Sequence, residues 1–329
     1  MKAAYINEIG GAEKIIFGDL PEPSPGPNQY LIKVSAVDVN PVDIYIRAGM
    51  VPNQLKFPYI LGRDLAGKIV ACGKSATKFR VGDRVWCIGQ GWEGRQGTFA
   101  EFAAVDEGWL NKIPDNVLDE TAAAISLVGV TAHVGLKKAS VRGGDILFVN
   151  GGSGGVGSSV VQMAKILGAR VITTAGSDEK AAKCKSLGAD LVIKYQTQNV
   201  AEAIKQFSPA GVNVWWETLR EPNFDQIVSL LSNHGRVVIM AGRDARPAFP
   251  VGPFYAKNCS VFGFVILNSS QEELRAAAED INHWLAEGKL KPQIDRILPL
   301  SQTADAHRLQ EESTVKKTSA LAGKIILKP

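Results

Sequence analysis

The chain's 329 residues are too many for one ordinary hydrophobic core and suit two domains. With 45% hydrophobic residues, 21% charged residues and a net charge of +4, it has the balance of a globular protein in water. Lys and Arg alternate with Asp and Glu, and no apolar run is long enough to cross a bilayer, which argues against nucleic-acid and membrane partners.

Met1-Lys2-Ala3-Ala4-Tyr5-Ile6 reaches Asn7 and Glu8 too soon for a secretory signal, so a cytoplasmic location is expected. The proline-rich stretch 21–27 can be neither helix nor central strand and reads as a surface connection. Residues 29–39 read as a long strand and 68–72, 84–88 and 98–105 as shorter ones, punctuated by Gly-Asp and Pro-Gly turns. The texture changes near residue 120. Residues 119–138 are rich in Ala, Leu and Val and predict a helix, with a possible break at Gly129. Strands at 145–150, 170–174, 191–194, 212–216, 236–241 and 260–266 then alternate with helices at 156–167, 178–187, 200–207 and 224–231. Short apolar strands in this βαβα order predict a parallel, doubly wound sheet covered on both faces. A helix at 271–286, a strand at 295–298, a helix at 303–311 and a strand at 324–327 close the chain. The expected division is 1–122, 123–267, and a tail 268–329 that rejoins the first domain. Cys72, Cys87, Cys184 and Cys259 form no C-x-x-C and have no histidine at ligand spacing, so free thiols and no metal site are expected.

The sharpest motif runs from Asn150 through Gly151, Gly152, Ser153, Gly154, Gly155 and Val156 to Gly157, between a predicted strand and a predicted helix. In that context G-x-G-x-x-G is a dinucleotide-binding signature. Gly152 permits the turn, Gly154 lets backbone approach a diphosphate, and Gly157 lets helix and strand pack. Free N–H groups and the positive end of the helix dipole favour phosphate. A site for the unphosphorylated cofactor usually carries Asp or Glu about twenty residues on. Here the strand ends in Thr174-Ala175-Gly176-Ser177, with Lys180 and Lys183 one turn into the helix, so NADPH is expected. Asp178 and Glu179 read as helix-start acids.

Several further motifs carry a resemblance over nearly the whole length. They are Val39-Asn40-Pro41-Val42-Asp43-Ile44-Tyr45-Ile46-Arg47-Ala48-Gly49, Gly62-Arg63-Asp64-Leu65-Ala66-Gly67, Gly82-Asp83-Arg84-Val85 and Leu230-Leu231-Ser232-Asn233-His234-Gly235-Arg236-Val237. The chain resembles the zeta-crystallin-like quinone oxidoreductase branch of the medium-chain dehydrogenase/reductases. The resemblance implies an α/β chain: a Rossmann-type domain with a doubly wound parallel sheet, plus a β-rich GroES-like catalytic domain. It also implies a homodimer, whose 260–266 strand would pair with its copy.

Zinc-dependent relatives carry Cys at the position of Asn40 and His-Glu at Arg63-Asp64, and their four-cysteine lobe is missing here, so zinc-free chemistry is implied. Charge appearing on a carbonyl oxygen then needs hydrogen-bond donors. The candidates are the Asn40 amide, the Tyr45 hydroxyl and the Arg47 guanidinium, with positive charge from Arg63. By resemblance, Asn40 and Thr131 sit by the nicotinamide and its ribose, and Tyr45 lines the substrate side. Lys180 and Tyr195 hold the 2′-phosphate, and Gly242 and Arg243 pass the adenosine or diphosphate. Phe264, Val265 and Ile266 offer backbone to the carboxamide, and Lys324 reaches the nicotinamide side.

Plainer readings stand beside these. Asn40-Pro41 is a good turn former, Tyr45 can simply pack, and Arg47 and Arg63 can pair with Asp43 and Asp64. Val51 replaces a second tyrosine that many relatives carry, which argues against enoyl-thioester reduction. Trp215 and Trp216 are sheet residues or one of them flanks adenine. Three functions remain open: reduction of a quinone, reduction of an activated C=C bond in an enal, enone or haloacrylate, and an NADPH-binding protein of crystallin or nucleic-acid-binding type.

Overall fold

A computed structural model of the chain describes residues 1–316, 318 and 321–329. Its first elements are β1 (Lys2–Ile6), β2 (Ile16–Asp19), β3 (Gln29–Val39), α1 (Pro41–Arg47), β4 (Tyr59–Ile60), β5 (Leu65–Cys72), β6 (Arg84–Cys87), β7 (Phe102–Asp106) and β8 (Leu110–Lys112). After α2 (Asp119–Lys138) come β9 (Ile146–Val149), α3 (Gly155–Ile166), β10 (Arg170–Ala175), α4 (Asp178–Ser186), β11 (Leu191–Lys194), α5 (Val200–Phe207), β12 (Val212–Glu217), α6 (Phe224–Leu230), β13 (Leu231–Ile239), α7 (Val251–Ala256) and β14 (Ser260–Gly263). The chain ends with α8 (Gln271–Ala286), β15 (Ile294–Pro299), α9 (Thr303–Thr314) and β16 (Lys324–Lys328).

Two units result, one made of Met1–Leu127 with Asn282–Pro329 and the other of Val128–Ile281. The divisions fall after Leu127 and Ile281, where composition alone placed them after 122 and 267. Within the second unit, α8 is tied to the later turns of α2 by Lys138–Glu273 at 2.8 Å and His133–Asp280 at 2.7 Å. That keeps most of this helix with the parallel sheet.

In the first unit, β16 lies antiparallel to β3, pairing Ile325 with Val39 and Leu327 with Val37, and β15 runs parallel to β16. The path continues from β3 through β5 and β6 to β8, while β7 also pairs β3. Tyr30, Ile32, Val37, Val39, Ile325 and Leu327 are buried in one core. Lys324 is thereby carried beside the strand end that leads to Asn40.

In the second unit, the described strands form one parallel sheet in the order β11-β10-β9-β12-β13-β14. Its apolar strands bury Phe148, Ile172, Ile193, Trp215 and Val237. The winding reverses between β9 and β12, so the carboxyl ends of these two strands flank the usual crevice of such sheets.

Three local readings change. Residues 41–47 form a helix rather than a simple turn, because Pro41 suits the first helical position and the Asp43 carboxylate accepts the Asn40 N–H at 2.8 Å. α2 runs unbroken through Gly129, between buried Val128 and Val130, whose burial offsets the roughly 1 kcal/mol propensity cost of glycine. The strand expected over 260–266 stops at Gly263, and Ile266–Asn268 form a 3-10 turn.

Candidate functional site

In the second unit, β9 delivers Asn150 and the glycine loop to the start of α3. Two glycines are demanded by the protein itself. A Cβ at Gly152 would lie 2.2 Å from Thr173 Oγ1, and one at Gly157 would lie 2.2 Å from the Gly151 carbonyl oxygen. Gly154 differs: it is exposed, and its Cβ would meet nothing closer than the Gly151 oxygen at 3.4 Å. Ser153 is buried, and Gly155 and Val156 are half-buried. No side chain caps α3, whereas Ser177, Asn199 and Asn223 cap α4, α5 and α6. An uncapped helix start beside an open glycine fits the diphosphate of a dinucleotide.

Gly176 and Ser177 follow β10, Lys180 lies in the first turn of α4, and Tyr195 follows β11. Ser177 Oγ accepts the Lys180 N–H, and the Tyr195 hydroxyl would stand 2.5 Å from a Cβ at Gly176. Tyr195 is 50% exposed. Asp178 is paired with Lys194 at 2.8 Å. Elsewhere in this unit, Thr131 is buried on α2, Gly242 has φ +84° with its α-carbon against the Arg220 carbonyl, and Arg243 is exposed. Val265 is exposed, Ile266 is buried, and Phe264 meets Trp216 edge-on at 6.4 Å.

In the first unit, Asn40 is fully buried at the centre of a charged cluster. Its Nδ2 donates to Asp64 Oδ2 at 2.9 Å and to the Asp38 carbonyl at 3.2 Å, and its Oδ1 accepts Lys324 Nζ at 2.8 Å. Lys324 also donates to the Val39 carbonyl and lies 3.0 Å from Asp38 Oδ2. Burial pushes the Asp43 carboxyl up to about 7, with the Asp64 charge adding to the shift and Arg63 opposing it. Burial also lifts Asp64 to about 6 and raises Asp38, and in both Lys324 pulls the other way. Arg63, 2% exposed, stacks over Trp92 at 5.4 Å.

This geometry sits within a known family of sequences. A zinc-binding-dehydrogenase family model matches residues 155–283, and an alcohol-dehydrogenase GroES-like-domain model matches residues 26–115. The human quinone oxidoreductase is 33% identical over 330 residues, covering 99% of this chain and 97% of that protein. The chain belongs to the medium-chain dehydrogenase/reductase family. Among solved structures, an NAD-dependent alcohol dehydrogenase is 30% identical with TM-score 0.90, and a mycobacterial protein complexed with NADPH is 29% identical with TM-score 0.87. Each covers 100% of both chains.

Against the expectations drawn from the sequence, this member of the family shows several departures. Both amide hydrogens of Asn40 are committed inside the first unit, so it is not a donor held ready for a carbonyl oxygen or nicotinamide. Lys324 donates to the Val39 carbonyl and Asn40 Oδ1 and lies 3.0 Å from Asp38 Oδ2, so in this structure its ammonium is held within the first unit. Arg47 is fully buried; it donates to the Gly10 carbonyl and Glu311 and lies 3.4 Å from His307 Nδ1, so it brackets α1 against α9 instead of reaching substrate. Its acidic partner is Glu311 rather than Asp43. Tyr45 is half-buried on α1, and its carbonyl accepts the N–H groups of Met50 and Val51. Trp215 stacks on Phe148 at 4.1 Å and Trp216 is fully buried against Gly135, so both are packing residues.

The family model's name raises the question of zinc. Among the described residues, no three His, Cys, Asp or Glu converge on one point. Around Asn40 the oxygens of Asp38, Val39 and Asn40 already surround an ammonium. A donor set without thiolate or imidazole, and with its own cation in place, does not fit zinc. The partners that close this cluster, Asp38 and Lys324, lie 286 positions apart and shared no local signal.

Proposed function

We propose that this medium-chain reductase acts on quinones with NADPH and without zinc. The observation that carries the reading is the uncapped glycine loop, with Ser177 after β10, Lys180 in the first turn of α4 and Tyr195 after β11, and with Asp178 already held by Lys194. Bound there, the dinucleotide would supply the hydride. The α3 N–H groups hold its diphosphate, and Lys180 and Tyr195 take the 2′-phosphate. Thr131, Gly242, Arg243 and the backbone of 264–266 are the proposed contacts along the rest of the dinucleotide. Tyr45 on α1 is the proposed hydroxyl donor for charge developing on the quinone oxygen. The full-length likeness to human quinone oxidoreductase and the NADPH complex of the mycobacterial relative support this reading.

The test is a panel of quinones, enones and alcohols, assayed with both reduced and oxidised forms of the two nicotinamide dinucleotides. Quinone turnover with NADPH preferred is expected. A saturated ketone from an enone as the main product, alcohol oxidation with NAD, or a preference for NADH would overturn it. A twofold dimer is part of the same proposal. β14 is an edge of the parallel sheet, and Val261 on it is 45% exposed. Solution scattering of a monomer at assay concentration would remove that part.

A further inference from the structure

Nothing in the proposed chemistry uses Glu217, a carboxylate 2% exposed at the end of β12. Its Oε2 accepts Trp215 Nε1 at 3.1 Å, and its Oε1 accepts the Leu219 N–H at 2.7 Å and Asn150 Nδ2 at 3.3 Å. Asn150 Oδ1 in turn accepts the Thr174 hydroxyl at 2.9 Å, and that hydroxyl oxygen accepts the Gly151 N–H at 2.8 Å. The Thr174 carbonyl accepts the Gly152 N–H, and Thr218 Oγ1 donates to the Asn150 carbonyl. An unbroken run of side chains therefore joins the ends of β12, β9 and β10 to the first turn of the glycine loop.

The direction of that run has a cause. An ionised carboxylate only accepts, so Asn150 must turn its NH2 toward Glu217 and its oxygen toward Thr174. The Thr174 proton then goes to Asn150, and its lone pair is left for Gly151. Gly151 has φ +69°, so the loop begins in a conformation that favours glycine and gains from such a tether.

We infer that Glu217, Asn150 and Thr174 are positioning residues that hold the glycine loop in its diphosphate-binding shape. The inference rests on the reading that this loop binds a dinucleotide. The decisive variant is Thr174→Val, which keeps the branched shape suited to a strand and removes only the hydroxyl. Calorimetric titration with NADPH and with NADH should show both dissociation constants raised by the same factor, about tenfold, because the diphosphate is common to both. In turnover the loss should fall on KM for the dinucleotide rather than on kcat, and Thr174→Ser should restore binding. Glu217→Gln, which sets an amide N–H against a donor, should give a smaller rise that is again equal for the two dinucleotides, and it decides the matter if Thr174→Val does not fold. Unchanged affinities, a loss confined to NADPH, or failure of Thr174→Ser to restore binding would overturn the inference. Wild-type protein that binds neither dinucleotide would instead bring down the functional reading beneath it.

Discussion

The start of α3 and the start of α1 both follow a strand end, and both gather polar atoms, yet they are arranged in opposite senses. At α3 no side chain caps the helix, and Gly154 has room above it. At α1 the Asp43 carboxylate takes the Asn40 N–H, and Asp38, Asp64 and Lys324 take the Asn40 side chain. The first arrangement leaves hydrogen-bonding capacity for a ligand, and the second uses it within the protein. Buried polar groups are satisfied by whatever partner is nearest. A polar group near a strand end is most available to a ligand where the chain itself brings no partner to it.

The sharpest way to break this contrast is to open the closed cluster. Lys324→Met would leave Asp38 buried without its counter-charge, and at pH 8 it should lower stability by about 3 kcal/mol or more. Urea unfolding monitored through tryptophan fluorescence reads it, and an unchanged midpoint would mean that the cluster is not held by this charge. Next comes the open loop. Gly154→Ala meets no close protein atom, so melting should be unchanged while NADPH affinity falls about 100-fold, or ~2.7 kcal/mol. Equal affinity would show that the space above Gly154 is not used. Lys180→Ala should weaken NADPH by about tenfold and leave NADH alone, and a matching loss for both would move the 2′-phosphate elsewhere.

The smallest effect concerns pH. The folded chain holds the Asp43 proton to about pH 7, whereas an unfolded chain releases it near pH 4. Between these values the folded state binds more protons, so this group's contribution to stability falls as pH rises from about 4 to about 7. Asp43→Asn carries no charge and should melt a few degrees above wild type at pH 8, with the advantage gone near pH 4. A constant difference across that range would show that Asp43 is ionised throughout.

Local pattern explains what could be read in advance. Apolar runs such as Ile146–Val149, glycines at 152, 154 and 157, and helices of regular spacing made the parallel sheet and its loop legible, because each depends on neighbours within a few positions. The short helix Pro41–Arg47 carried a local signal as well, a proline at its first position and an aspartate three residues past Asn40, but it is only seven residues long and its periodicity is weak. The roles of Asn40, Arg47 and Lys324 were not legible. Each is decided by a partner distant in the chain: Lys324 for Asn40, Glu311 and His307 for Arg47, Asp38 for Lys324. Glu217 likewise acquires its place only when Asn150 and Thr174 arrive from two other strands.

By itself the sequence determined the βαβ alternation, the phosphate-type loop and the presence of Asn40, Arg63 and Asp64 where zinc-dependent relatives carry Cys, His and Glu, since all three are properties of residue type and short-range spacing. Tertiary structure alone decided which polar atoms have spare hydrogens. A hydrogen bond is a matter of a few tenths of an ångström between groups that can lie hundreds of residues apart, and no local pattern encodes that distance.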